Sequence, residues 1–150
     1  MSSRLSQQFK MLSWILLALV AGLTLFASLA SVGVAYFAEE DPMGNVIQRS
    51  ELAGDRADVA TMLRARRGTA AAYGTGYGLL FLIIALVPYR RGDVWAWWAI
   101  LLGTIVPCSI ILLRKPLLGT NLGLVAATIP LGVSVVALLL DVSRVKIKGA

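Results

Sequence analysis

From Met11 to Ala38 the chain reads MLSWILLALVAGLTLFASLASVGVAYFA and carries no charged side chain. As a helix rising about 1.5 Å per residue, this run exceeds the roughly 30 Å hydrocarbon core of a bilayer. A helix that long and uncharged has no polar face to turn toward water, so a membrane is its natural solvent. Arg4 and Lys10 precede it, as in a secretory signal, and Ser28–Ala30 has the small-residue character of a cleavage site. The apolar run continues past that point to Ala38, so the expectation is an uncleaved anchor.

Three further runs follow: Thr69–Pro88, Val94–Leu113 and Pro116–Leu140. Each has the length of about 20–25 residues that a spanning helix needs. Only 15% of the chain is charged and 58% is hydrophobic, against about 25% and 45–50% in soluble domains. The expected fold is all-α: one integral membrane domain over residues 1–150, a four-helix transmembrane bundle with spans at about 11–38, 69–88, 94–113 and 116–140. Residues 39–68 form its one sizeable polar loop. Within that loop Pro42, Gly44 and Asn45 mark a turn. Asp55 and Asp58 supply an N-cap and a negative first turn for a short helix through VATMLRARR. That helix either runs on into the second span or breaks at Gly68.

Four spans put both termini on one side. Basic residues divide evenly between the two sides, so the first span decides. Arg4 and Lys10 stand before it, and Glu39, Glu40 and Asp41 after it. This places the termini in the cytoplasm.

The stretch VPYRRGDVWAWW, Val87 to Trp98, reads as the hairpin between the second and third spans. Pro88 is expected to end one helix. Gly92 makes the turn, and Asp93 is placed to cap the next helix. At about 100° per residue Trp95, Trp97 and Trp98 point in different directions at one depth. With Arg90 and Arg91 they read as an interfacial anchor rather than a ligand cage.

Small residues recur at four-residue spacing. Ala70, Gly74 and Gly78 fall on one ridge of the second span, and Gly119, Gly123 and Ala127 on one ridge of the fourth. In lipid no hydrophobic force draws helices together, so close backbone approach through small residues matters. These ridges serve helix packing within the bundle or a partner face. Tyr73, Tyr77, Thr104 and Asn121 bring polarity into the spans, as interhelical hydrogen bonds or as the lining of a ligand cavity. Pro107 and Pro130 interrupt the third and fourth spans.

The exclusions are informative. No Asp, Glu, Lys, Arg or His lies inside any span, whereas proton relays, ion-coupled carriers and voltage sensors depend on such groups. The chain has no histidine and one cysteine, Cys108, which argues against a zinc site or histidine-ligated haem and rules out a Ser–His–Asp triad. No cofactor is read from it. The net charge of +6 comes from short basic clusters beside apolar runs, which suit anionic headgroups rather than nucleic acid. GTGYG at Gly74–Gly78 lacks the preceding pore helix of a potassium filter. Polar chemistry is left to the 39–68 loop, where Arg64, Arg66 and Arg67 are candidates to contact lipid headgroups.

The segment RARRGTAAAYGTGYGLLFLIIALVPYRRGDVWAWWAI, Arg64 to Ile100, resembles small bacterial four-helix membrane proteins of the DoxX-like kind, many without assigned activity. The arginine–glycine entry to the second helix and the YRRGD hairpin before WAWW carry the resemblance, over about a quarter of the chain. It implies a four-helix protein of the bacterial inner membrane and no particular reaction. Missing catalytic groups and abundant packing motifs lead to the expectation of a non-catalytic accessory or scaffold subunit. Its partners are then membrane lipids and a membrane protein or further copies of itself. The alternatives are a carrier of a small neutral or lipidic ligand, and a lipid-headgroup enzyme using Asp55, Asp58 or Arg64.

Overall fold

A computed structural model of the chain describes residues 2–38, 42–43, 47–48, 56–119 and 124–146. These form α1 (Ser2–Phe37), a minimal antiparallel ladder of β1 (Pro42–Met43) and β2 (Ile47–Gln48), and α2 (Ala57–Ile84), which continues as a π-helical turn over Ala85–Tyr89. Then come α3 (Val94–Leu112), α4 (Arg114–Leu118), α5 (Leu124–Leu140) and α6 (Ser143–Lys146). Apart from the two-residue ladder, the regular structure described is helical. Three helical stretches are long and apolar enough to cross a membrane: Gln7–Phe37, Ala57–Tyr89 and Val94–Leu117. A fourth apolar helix, α5, has 17 residues.

The elements match the apolar runs, with instructive differences. The helix expected near Asp58 begins at Ala57 and passes through Gly68 without a break. Asp58 lies in its first turn, and Asp55 lies outside the described residues, as do Gly44 and Asn45. Pro88 does not end the second helix. It sits inside the π turn, and helical geometry resumes at Arg90. A π turn skips one residue of the hydrogen-bond ladder, so a proline that lacks an N–H is absorbed there without breaking the helix. Asp93 occupies the N-cap of α3 with extended backbone, but its side chain makes no cap hydrogen bond. Its N–H instead reaches back to the Pro88 carbonyl (3.0 Å), while Gly92, at φ +96°, turns the chain. Nor is Pro116–Leu140 one helix. Gly119, at φ +64°, caps α4 in the left-handed conformation, with its N–H on the Lys115 carbonyl (3.1 Å).

The chain divides into two compact units. The first comprises Met1–Gly22 and Leu80–Ala150, and its centre is the pairing of α3 with α5. The buried side of α3 carries Trp97, Ile100, Thr104 and Cys108, one per turn. The buried side of α5 carries Ala127, Ser134, Ala137 and Leu138. Two hydrogen bonds set the register. The Trp97 indole N–H donates to the Leu138 carbonyl (3.1 Å), and the Cys108 thiol donates to the Ala127 carbonyl (3.4 Å). Donors and acceptors are each about three turns apart, and the first donor meets the last acceptor, so the helices run antiparallel.

The second unit, Leu23–Leu79, holds the remainder of α1 and most of α2. Here backbones meet closely. A Cβ added at Gly78 would lie 2.8 Å from the Leu25 nitrogen and 2.9 Å from its Cα. One added at Gly74 would lie 2.5 Å from Ser28 Oγ, and one at Gly68 would collide with the Tyr36 ring. At Gly78 the glycine is required because the Leu25 backbone occupies the space a side chain would need, whereas at Gly68 and Gly74 the obstructing atoms belong to the Tyr36 and Ser28 side chains.

Candidate functional site

The helices of the first unit end in a buried polar cluster. The last carbonyls of a helix have no intrahelical donor. At the end of α5 the chain tightens, and the Asp141 N–H donates to Leu138 O (3.2 Å). Ser13 Oγ donates to Ala137 O, at 2.7 Å. Ser13 Oγ also lies 2.6 Å from the Tyr89 phenol oxygen. A serine hydroxyl has one proton, and Ala137 O can only accept, so Ser13 spends its proton there. Tyr89 is therefore the donor to Ser13. The result is a directed chain, Tyr89 O–H to Ser13 O–H to Ala137 O, joining α1, the π turn and α5.

The cluster is enclosed. Ser13, Tyr89, Ser134 and Asp141 are fully buried. The Ser134 hydroxyl has no hydrogen-bond partner among the described residues. At the adjoining surface the Arg90 guanidinium stands 5.1 Å from the centroid of the Trp14 ring, a cation–π distance.

A second set of polar contacts belongs to the other unit. Arg64 Nη2 donates to Ala38 O (3.4 Å), just beyond the end of α1, and Arg67 Nε donates to Ser31 Oγ (3.2 Å). The last turn of α1 contains no basic residue. Arg64 therefore supplies from α2 the cation that a helix C-terminus favours. Arg66 is exposed.

The residues singled out by sequence are distributed as follows. Gly74 and Gly78 meet Ser28 and Leu25 of α1. The buried alanine between the glycines is Ala71, while Ala70 is exposed, so the packed ridge is Gly68, Ala71, Gly74 and Gly78. Gly119 caps α4 and is not on α5, Ala127 is buried against Cys108, and Gly123 lies outside the described residues. The second ridge therefore does not start where its spacing suggested. Tyr73 is 78% exposed. Tyr77, half-buried, belongs with it to the second unit, and Thr104 to the first. The Thr104 hydroxyl is spent on Ile100 O of its own helix (2.8 Å), and Asn121 lies outside the described residues. The three tryptophans do not all point apart, since the Trp97 and Trp98 rings meet edge to face with centroids 4.9 Å apart. Trp95 and Trp98 are 58% and 46% exposed, whereas Trp97 is 8% exposed and holds α5. Arg90 and Arg91 are exposed.

Sequence reasoning saw Tyr89 as a headgroup-level residue and Ser134 as one of several polar residues in the fourth span, passed over Ser13 and Asp141, and brought none of the four together. Ser13 and Tyr89 are 76 residues apart, and no local pattern pairs them. Asp141 carried a weak signal, as the acid directly after an apolar run. Among the described residues no three His, Cys, Asp or Glu side chains come together in a metal-binding set. No protein-family model, curated protein or solved structure matches the chain.

Proposed function

We propose that the chain is an integral membrane protein that crosses the bilayer four times and serves as a non-catalytic accessory or scaffold subunit for a membrane partner. The three long apolar helices make three crossings. The fourth is assigned to α5, whose 17 residues fall at the short end of the spanning range. The basic residues before the first span argue for cytoplasmic termini, in a bacterial inner membrane.

One observation carries the non-catalytic reading. Four of the polar side chains buried in the first unit are directed at backbone carbonyls: Ser13 at Ala137, Trp97 at Leu138, Cys108 at Ala127 and Thr104 at Ile100. That is the chemistry of holding helices together in a solvent that offers no water, not of a nucleophile beside its base. The Arg64 expected of a headgroup enzyme is likewise turned to a helix end. A partner has ample surface to meet. Only 17–28% of the residues in each spanning window are buried, so most of the apolar surface faces outward to lipid or protein.

Gentle extraction followed by native mass spectrometry tests the subunit role. A stoichiometric protein partner is the expected result, and a chain that always emerges alone would sink it. Cysteines introduced at Ser3 and Ser143, in a Cys108→Ser background, test the crossing number. Labelling of both from one side fits four crossings, whereas labelling from opposite sides means three. The buried Ser134 hydroxyl favours one second reading, a carrier whose neutral ligand bonds that group. A defined small molecule retained in the same spectra, and lost in Ser134→Ala, would establish it.

A further inference from the structure

The basic residues of the two units are used differently. Arg64 and Arg67 are turned to a carbonyl and a hydroxyl near the C-terminal end of α1, the negative end of that helix dipole. Arg90 lies over an aromatic ring instead. A cation–π contact uses the charge of the guanidinium and leaves its N–H edge for another acceptor. Among the described residues Arg90 makes no ion pair. The nearest acid in sequence, Asp93, sits at the N-cap of α3. Lys10 stands four residues before Trp14, hence on the same face of α1, and is exposed, as is Arg91.

We propose that Lys10, Trp14 and Arg90 bind the phosphate of an anionic glycerophospholipid. The acceptor chemistry is a phosphodiester, which an arginine edge and a nearby ammonium both favour. The apolar surroundings commit the site to a lipid rather than to free phosphate. Phe9 and Met11, on either side of Lys10 around α1, are each about half exposed, and they offer acyl chains an apolar surface flanking the cations. The site is also held in place. The Ser13–Tyr89 bond (2.6 Å) joins the two residues adjacent to Trp14 and Arg90, so the ring and the guanidinium stay together before any lipid arrives, which reduces the ordering cost of binding.

This inference rests on the membrane-spanning reading, and the test separates the two. The full chain is reconstituted into vesicles of phosphatidylcholine alone and of phosphatidylcholine with a minority of phosphatidylglycerol. Resistance to an alkaline wash from pure phosphatidylcholine reports on insertion. A chain that washes off overturns the membrane reading and this proposal with it. For an inserted chain, lipid retained after detergent release is identified by native mass spectrometry. Phosphatidylglycerol is expected to be held in preference, with the preference falling about fivefold for each of Lys10→Gln and Arg90→Gln. Arg90→Lys keeps the charge but not the fork, and loses part of the preference. The proposal is overturned if the double variant still prefers phosphatidylglycerol, if the preference follows Arg66→Gln instead, or if inorganic phosphate displaces the lipid.

Discussion

The two units solve the same problem by opposite means. In the first, helices are joined by side chains that reach across to carbonyls: Ser13, Trp97 and Cys108 each bond a backbone oxygen of α5. In the second, α1 and α2 approach through what is missing at Gly78, where the Leu25 backbone fills the place of a side chain. Helix association in a bilayer draws on both packing and polar contacts, and this chain separates them by region. The lesson concerns sensitivity. A contact made by omission cannot tolerate addition, whereas a contact made by a donor is weakened only when the donor is removed.

Four predictions press on that contrast, each read as a shift in unfolding when mixed micelles are titrated with denaturing detergent. The largest effect belongs to the second unit. Gly78→Ala places a methyl group against the Leu25 backbone and costs about 1–3 kcal/mol. Gly76→Ala, which meets nothing within 4 Å, is neutral or stabilises by up to about 1 kcal/mol through helix propensity. Equal effects at the two glycines would remove the argument for packing by omission.

Next is Ser13→Ala, at about 1–3 kcal/mol, because it removes the donor to Ala137 O and the acceptor of the Tyr89 hydroxyl together. Tyr89→Phe leaves the Ser13 bond to Ala137 in place and costs less, about 0.5–1.5 kcal/mol. The ordering follows from the direction of the chain of protons, and the double variant falls short of the sum. A Tyr89→Phe loss larger than that of Ser13→Ala would reverse the assigned direction. Below these comes Trp97→Phe, at about 0.6 kcal/mol, since Leu138 O keeps the Asp141 N–H. Cys108→Ala is the smallest, because a thiol is a weak donor. If the cysteine outweighed the tryptophan, the α3–α5 pair would be fastened mainly at its other end.

The apolar runs made α1, α2 and α3 legible, because length without charge is a property of the sequence itself. The glycine spacing also pointed to a real ridge, although its neighbouring alanine shifted from Ala70 to Ala71. The shift follows from helical geometry: at 3.6 residues per turn, positions three and four before a glycine are both near its face, and only the partner helix chooses between them. Pro88 misled because a proline reads as a stop unless a π turn is available, and nothing in ALVPY announces one. Trp97 read as one of three interfacial rings. Its burial depends on a carbonyl supplied 41 residues later. The polar cluster at Ser13 and Tyr89 was illegible for the same reason, since hydroxyls scattered in apolar runs carry no sign of which distant carbonyl they will meet.

The matched spacing of the two α3–α5 bonds has a consequence for how this part of the chain can change over time. Trp97 to Cys108 and Ala127 to Leu138 are equal intervals, like two combs meshed at their outer teeth. Sliding one helix by a single residue disengages both bonds at once, so no small slip is available as an intermediate. Inserting or deleting one residue within either interval forfeits a bond that no single substitution elsewhere restores. Side chains between the teeth are free to vary in identity, while the number of residues between them is held fixed.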